Sequence, residues 1–236
     1  MNAVSSAVAL HLNQRTKTFL VPLWIAAIVG VVSVLIALIF WRSGSQPGSA
    51  EWVQGSQSNP GVIYALGGFL VYFGVASVAT TYPFALTLGS TRRAFVAGTL
   101  VWQAIVAAYV AVVFLVLSVV ELATNHWFVG FYVFDIHALG AGDPGRLLPT
   151  VFLGVLSFLA VGAVFAAAWV RFGPRGPQLL GLGVFVTLGI GLAVIIPDIA
   201  GIAAAFELWW LAIAAGAVVV LASLGTWLLL RSAVIR

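Results

Sequence analysis

Residues 81–95 lie between two long apolar runs and combine side chains that can make specific polar contacts with residues that shape the backbone. These residues include a proline, a glycine, two adjacent hydroxyl residues and two adjacent arginines: Pro83, Gly89, Ser90, Thr91, Arg92 and Arg93. Hydroxyl and guanidinium groups bind by hydrogen bonds and charge, and no carboxylate, histidine or cysteine accompanies them to support catalysis. We interpret the segment as an element that protrudes from its apolar surroundings and binds a partner. The alternative is an ordinary turn between two helices with basic anchors.

Local sequence rules predict the backbone of this segment. Pro83 lacks an N–H and should end or kink the preceding helix, and Gly89 suits the left-handed position after a helix. Ser90 or Thr91 can then cap the next helix. The segment between the proline and the glycine can form about two helical turns lying at a membrane interface. Its large apolar residues are Phe84, Leu86 and Leu88.

Composition places the chain in a membrane. Its 236 residues are 63% hydrophobic and 7% charged, with a mean hydropathy of +1.17, whereas a soluble domain carries about 25% charged residues. The absence of cysteine excludes a disulfide framework, a thiol nucleophile and a cysteine metal site. The three histidines, His11, His126 and His137, are far apart in sequence and predict no ligand cluster.

Six apolar segments are long enough to cross a hydrocarbon core of about 30 Å, so we expect an all-α, single transmembrane domain over residues 1–236. The predicted spans are approximately 19–41, 61–80, 94–120, 149–170, 178–196 and 204–230. Residues 42–60, rich in Ser, Gly, Gln and Pro, predict a solvated loop. The aromatic loop 121–148 is typical of a segment at headgroup depth. Residues 1–18 predict either a short interfacial helix or a frayed tail.

The charged residues sort between the two sides of this six-span topology. One side holds 8 of the 10 basic residues and no acid: Arg15, Lys17, Arg92, Arg93, Arg171, Arg175, Arg231 and Arg236. The other side holds all six acids with two arginines: Glu51, Glu121, Asp135, Asp143, Asp198, Glu207, Arg42 and Arg146. By the positive-inside rule, both termini and the arginine pair at 92–93 are expected in the cytoplasm.

The spans lack the residues that membrane chemistry commonly uses. No Asp, Glu, Lys or Arg falls near a span centre, where burying one costs about 2.5 kcal/mol or more. This argues against ion-coupled transport, and no paired carboxylate, Ser-His or His-Glu zinc pattern indicates an enzyme. No G-x-x-x-x-G-K-[ST] loop occurs, so any ATP must bind to another polypeptide.

Mild polar and aromatic side chains inside the spans are candidates for lining a translocation path. They are Tyr64, Tyr72, Trp102, Gln103 and Tyr109. The alternative is that such residues hydrogen-bond between helices or anchor them near the inner interface.

The string from Tyr82 to Phe95 resembles the turn PFALSLGxTRRxF of small bacterial permease subunits of type-2 ABC exporters. Six spans, cytoplasmic ends and the lack of a nucleotide site are similar to the same family. The likeness covers the whole chain in topology, and residues 82–95 carry its diagnostic sequence.

The resemblance implies that this turn is a cytoplasmic coupling helix that sits in a cleft of an ATPase subunit. The implied ATPase contacts are Pro83, Phe84, Leu86, Leu88, Gly89, Ser90, Thr91, Arg92 and Arg93. Among them, Phe84 and Leu88 would pack into the cleft, while the two arginines would pair with acidic groups or lipid phosphates. Residues 1–18 would correspond to a short connecting helix. Residues 197–203 leave room for only a brief external segment between spans five and six, where many members have a longer one.

The assembly implied by the resemblance has two ATPase subunits and two permease chains, identical or homologous, in a bacterial inner or plasma membrane. ATP and Mg would bind on the ATPase, and this chain would be non-catalytic, with no cofactor and no nucleic-acid partner. Its path would carry an amphipathic lipid, drug or peptide. A stand-alone secondary carrier, and a structural, sensory or immunity protein, remain the alternatives.

Overall fold

The computed structural model describes residues 3–207 and 209–233, and within these ranges the chain is helical without β-strands. The α-helices are α1 Ala3–Leu12, α2 Val21–Arg42, α3 Ala50–Gln57, α4 Gly61–Ala79, α5 Thr81–Thr87, α6 Arg92–Ala123, α7 Pro144–Phe172, α8 Arg175–Ile195, α9 Ile199–Ala204 and α10 Trp209–Leu230. A π-helical turn, Thr16–Leu20, precedes α2, and 3₁₀ turns cover His137–Leu139 and Ile196–Asp198. The all-α prediction is therefore confirmed.

Among the described residues, six helical segments are long and apolar enough to cross a membrane, which confirms the predicted number of spans. They are Thr16–Arg42, Ala50–Thr87, Arg92–Ala123, Pro144–Phe172, Arg175–Ala204 and Trp209–Leu230. The shortest has 22 residues and, at 1.5 Å per residue, is about 33 Å long, enough for a hydrocarbon core of about 30 Å. By helix length and composition the chain is a multi-pass membrane protein.

The prediction that residues 42–60 form a solvated loop is wrong for Ala50–Gln57, which form α3. The Ser49 hydroxyl caps this helix by accepting a hydrogen bond from the Trp52 backbone N–H at 3.3 Å. Trp52 is buried, and its Nε1–H donates to the Gly130 carbonyl at 2.6 Å. The composition of the segment suggests a loop, but a distant contact holds it as a helix.

Helix α7 begins five residues before the predicted start at Pro149. Its first residue is Pro144, a position where the missing N–H costs nothing. The Asp143 side chain accepts a hydrogen bond from the Gly145 N–H at 2.8 Å, which caps the helix. Pro149 lies inside the helix. Taking this proline as the start of the helix therefore gave the wrong boundary.

The chain folds as two compact units. Unit 1 comprises the described parts of residues 1–11, 71–101 and 157–236, and unit 2 comprises residues 12–70 and 102–156. The core of unit 1 combines buried residues from α4, α5, α6, α7 and the end of α10: Val78, Tyr82, Ala85, Phe95, Val96, Ala163, Ala166, Ala167, Leu230 and Ala233. The candidate site described below belongs entirely to unit 1.

Two glycines let α4 and α7 pack backbone to backbone in unit 1. A Cβ atom on Gly74 would clash with the Leu159 carbonyl, and one on Gly162 would clash with the Val71 carbonyl. Small residues at such contacts are a common way to bring membrane helices together. These glycines therefore serve helix packing within the chain.

Candidate functional site

One side of α5 is fixed in the core of unit 1. Tyr82 is fully buried, and its hydroxyl donates a hydrogen bond to the Leu230 carbonyl, 3.0 Å away at the end of α10. Its ring packs edge-on against Phe95 of α6, with 5.2 Å between ring centroids. Ala85, three residues later, is also buried in this core. Helix α5 is thus attached to both α6 and α10.

The opposite side of α5 presents two large apolar side chains. Phe84 is 53% exposed and Leu88, just after the helix, is 65% exposed. Residues four apart lie on the same face of a helix, so the two side chains lie on one face. Leu86 differs from them because it is half-buried and packs against the core. Of the three apolar residues predicted to contact a partner, Phe84 and Leu88 are the ones that protrude.

The start of α5 follows the sequence prediction. Helix α4 ends at Ala79, and Pro83 is the third residue of the next helix. Because Pro83 has no N–H, it cannot donate to the Ala79 carbonyl as a continuing helix would require. The break therefore lies before the proline, and Pro83 itself is half-buried.

The end of α5 confirms the predicted glycine position and selects one of the two predicted caps. Gly89 has a φ of +81°, its N–H donates to the Leu86 carbonyl at 3.0 Å, and the Ser90 N–H donates to the Ala85 carbonyl at 3.0 Å. This pair of bonds is a Schellman motif. Thr91, rather than Ser90, caps α6 by accepting a hydrogen bond from the Ala94 N–H at 3.2 Å.

The two predicted arginines meet a third one at the end of α10. The Arg92 Nη1 donates to the Arg231 carbonyl at 2.6 Å. The guanidinium of Arg231 lies over the Trp227 ring, 5.3 Å from its centroid. Arg92, Arg93 and Arg231 are all exposed. The structure thus groups three of the basic residues that the charge pattern assigned to one side.

The candidate path residues do not form one group. Trp102 and Gln103 are buried within the chain, whereas Tyr64 and Tyr72 are 75% and 58% exposed. The Tyr109 hydroxyl donates to the Phe19 carbonyl at 2.8 Å, which is the helix-to-helix role considered as the alternative. Burial removes Trp102 and Gln103 from the surface of the chain. Tyr64 and Tyr72 lie at the surface of the chain.

The N-terminal segment is a helix rather than a frayed tail. Helix α1 crosses α6 at Gly98, where a Cβ atom would lie 2.5 Å from that of Ala7. The His11 Nε2 is 3.0 Å from the Thr99 hydroxyl, and both side chains are buried. Burial lowers the pKa of His11 from 6.5 to about 4, so His11 is neutral at pH 7. Sequence reasoning did not assign this contact.

A buried acidic cluster in unit 2 was also missed. Glu121, treated in sequence as a loop charge, is fully buried and accepts hydrogen bonds from the Val133 and Phe134 N–H groups at 2.8 and 2.7 Å. Nearby, His126 Nε2 lies 3.1 Å from the Asp135 carboxylate. The residues that donate to Glu121 follow it in the sequence by more than ten positions, so no local signal indicates this arrangement.

Tyr132 belongs to the same cluster. Its ring lies against that of His126, with 3.8 Å between centroids. Burial raises the pKa of the Tyr132 hydroxyl, and the negative charges of Asp135 and Glu121 raise it further. Among residues 3–207 and 209–233, no three His, Asp or Glu side chains form a group that could hold a metal ion.

Comparison of the chain with protein-family models, curated proteins and solved structures gives no match. A functional assignment therefore depends on the residues and geometry given above.

Proposed function

We propose that this chain is the membrane-spanning, non-catalytic subunit of an ABC exporter, and that α5 is its coupling helix. The observation that carries the proposal is the two-sided character of α5. Tyr82 and Ala85 fix one side in the core, while Phe84 and Leu88 extend from the other. A short helix with one side fixed in the core and an apolar opposite side suits a partner that must both bind this chain and transmit its own movement to it.

The apolar pair has the chemistry of an interface anchor. Burying a Phe or Leu side chain stabilises a complex by about 1.5–3 kcal/mol. Anchors of this kind sit in pockets at interface centres. We assign Phe84 and Leu88 to a cleft on the ATPase, with Arg92 and Arg93 at the rim.

Contacts on the inner side of α5 and around it can transmit a movement of α5 to α10. The last carbonyl groups of a helix have no partner within it, and side chains from elsewhere can bind them. At the end of α10, Tyr82 donates to Leu230, Arg92 donates to Arg231, and Arg171 lies 3.4 Å from the Leu228 carbonyl. A displacement of α5 would therefore move α10 directly, besides α4 and α6, which flank it in the chain.

The proposed assembly has two copies of the ATPase, which bind ATP and Mg, and a second permease chain, identical or homologous. It lies in a bacterial inner or plasma membrane with α5 and both termini in the cytoplasm. Its substrate is amphipathic: a lipid, a drug or a peptide. The exposed residues Tyr64 and Tyr72 are the candidates for contact with that substrate or with the second chain.

The test is a Phe84→Asp variant co-expressed with the ABC ATPase subunits of the native host. A carboxylate in an apolar cleft loses its hydration without gaining a partner, so the ATPase should no longer co-purify and its stimulation should be lost. Phe172→Asp is the matched control, because Phe172 is 55% exposed at the end of α7 in the same unit. The proposal fails if Phe84→Asp behaves like the control while both insert normally.

A further inference from the structure

We propose that Arg92, Arg93 and Arg231, with Trp227, form a binding site for a phosphate group. These residues and Val96 line a cavity of about 280 Å³ in unit 1. Three guanidinium groups around one small cavity carry three positive charges, since arginine stays protonated in proteins. The proposal goes beyond the ATPase-docking function, which places Arg92 and Arg93 at the rim of the ATPase contact, and it is tested separately because binding can be measured without an ATPase.

Among the described residues, no carboxylate forms an ion pair with the cluster. All six acidic residues lie within the part of the chain that the structure describes. The ion pairs among the described residues join His126 to Asp135 and Arg146 to Asp143, and neither involves the cavity. The cluster therefore holds three like charges that an external anion would stabilise.

The geometry favours a phosphate group over a simple counter-ion. Arg92 uses one of its N–H groups on the Arg231 carbonyl, a bond of 2.6 Å that brings the two side chains to the same end of α10. A guanidinium has five N–H donors in a planar fork, so most donors of the cluster remain for oxygen atoms of the ligand. Forked donors match the oxygens of a phosphate in pairs.

The apolar wall of the cavity indicates a phospholipid as the carrier of this phosphate. The apolar residues that line the cavity are Val96, which is buried, and Trp227, which is half-buried. Leu224 and Leu228, on the same helix as Trp227, are exposed large apolar residues. A headgroup among the arginines would leave its acyl chains beside this helix, and basic pockets on the cytoplasmic side bind anionic headgroups in this way.

The test measures lipid binding to the purified chain by native mass spectrometry after titration with phosphatidylglycerol. A neutral variant replaces all three arginines: Arg92→Gln, Arg93→Gln and Arg231→Gln. Each basic residue near a headgroup contributes roughly a fivefold gain in affinity, so the neutral variant should bind about a hundredfold more weakly. The matched control is Arg15→Gln with Arg175→Gln, which removes two exposed arginines outside the cavity and should retain the lipid.

A single Arg93→Gln variant guards against loss of folding. It leaves the hydrogen bond between Arg92 and Arg231 in place, and we expect a loss of about fivefold. A triple Arg→Lys variant keeps the charge and loses the forks, so it should bind more weakly than the wild type and more tightly than the neutral variant. Equal binding by wild-type and neutral chains, or an equal loss in the Arg15 and Arg175 control, would overturn the proposal.

A second arm identifies the source of the phosphate. Millimolar inorganic phosphate is titrated against the detergent-solubilised chain, with and without phosphatidylglycerol. Arginine-dependent binding of the lipid that inorganic phosphate displaces only weakly assigns the site to a headgroup. Arginine-dependent binding of inorganic phosphate with no preference for the lipid assigns it to a free phosphate. If neither ligand binds and the three substitutions instead abolish ATPase co-purification, the cluster is a protein contact and the proposal is wrong.

Discussion

Removal of the Tyr82 hydroxyl isolates the bond that joins α5 to α10. In Tyr82→Phe the ring keeps its edge-on contact with Phe95, and the buried Leu230 carbonyl loses its side-chain donor at 3.0 Å. The Leu230 carbonyl keeps a backbone hydrogen bond from the Ala233 N–H at 3.3 Å, so the variant loses one hydrogen bond and leaves no acceptor without a donor. We expect Tyr82→Phe to destabilise the chain by about 0.5–1.5 kcal/mol.

Thermal unfolding in detergent measures this loss. For a chain of this size 1 kcal/mol shifts Tm by roughly 2–4 °C, so Tyr82→Phe should lower Tm by roughly 1–6 °C. The control Tyr64→Phe removes a hydroxyl from a tyrosine that is 75% exposed and should leave Tm nearly unchanged. Tyr82→Ala also removes the ring, and loss of a large buried side chain costs about 3–5 kcal/mol. An unchanged Tm in Tyr82→Phe, or an equal shift in Tyr64→Phe, would refute the assigned attachment.

The same variant separates binding from transmission of force. Tyr82→Phe leaves the exposed residues Phe84 and Leu88 intact, so the ATPase should still co-purify with the chain. Transport per ATP hydrolysed should fall, because α5 would move with less effect on α10. Loss of co-purification in this variant would contradict the account, because it would mean that the buried Tyr82 contacts the ATPase.

Three further predictions concern single residues. The pKa of His11 is about 4 in the folded chain and 6.5 ordinarily, so between these pH values the unfolded chain binds more protons than the folded chain. The contribution of neutral His11 to the free energy of unfolding is therefore full above pH 6.5, and about 3 kcal/mol of it is lost as pH falls through 4. Measurements of Tm against pH should show this loss, and His11→Gln should remove it. Gly162→Val should destabilise α7 by about 1–3 kcal/mol or prevent folding, whereas Gly154→Val, where a Cβ atom meets nothing within 4 Å, should be tolerated in the same Tm assay. Glu121→Ala leaves the buried N–H groups of Val133, Phe134 and Asp135 without this acceptor and should cost at least about 2–3 kcal/mol, with faster amide hydrogen exchange in the loop around residue 133.

The turn around α5 could be predicted from sequence because its rules are local. A missing N–H at Pro83, a left-handed backbone at Gly89 and a hydroxyl cap at Thr91 depend on residues a few positions apart. The six spans were predictable for a similar reason, since length and hydropathy are properties of each segment by itself.

The features missed by the sequence depend on distant contacts. Helix α3 is held by a bond from Trp52 to Gly130, which lies 78 positions later. The arginine cavity requires Arg92 and Arg231 to meet across 139 positions. Polarity also fails to say which way a side chain faces: Trp102 and Tyr64 were equal candidates in sequence, yet one is buried and the other exposed.

The central claim is that the outer side of α5 lies against an ATPase in the native membrane. A photo-crosslinking amino acid in place of Phe84 tests it directly, with the same substitution at Phe172 as the control and mass spectrometry of the adducts. The account predicts that position 84 crosslinks to a soluble protein containing a phosphate-binding loop and that position 172 does so far less. Crosslinks from position 84 to lipid alone, in membranes that contain the ABC ATPase subunits of the native host, would contradict it.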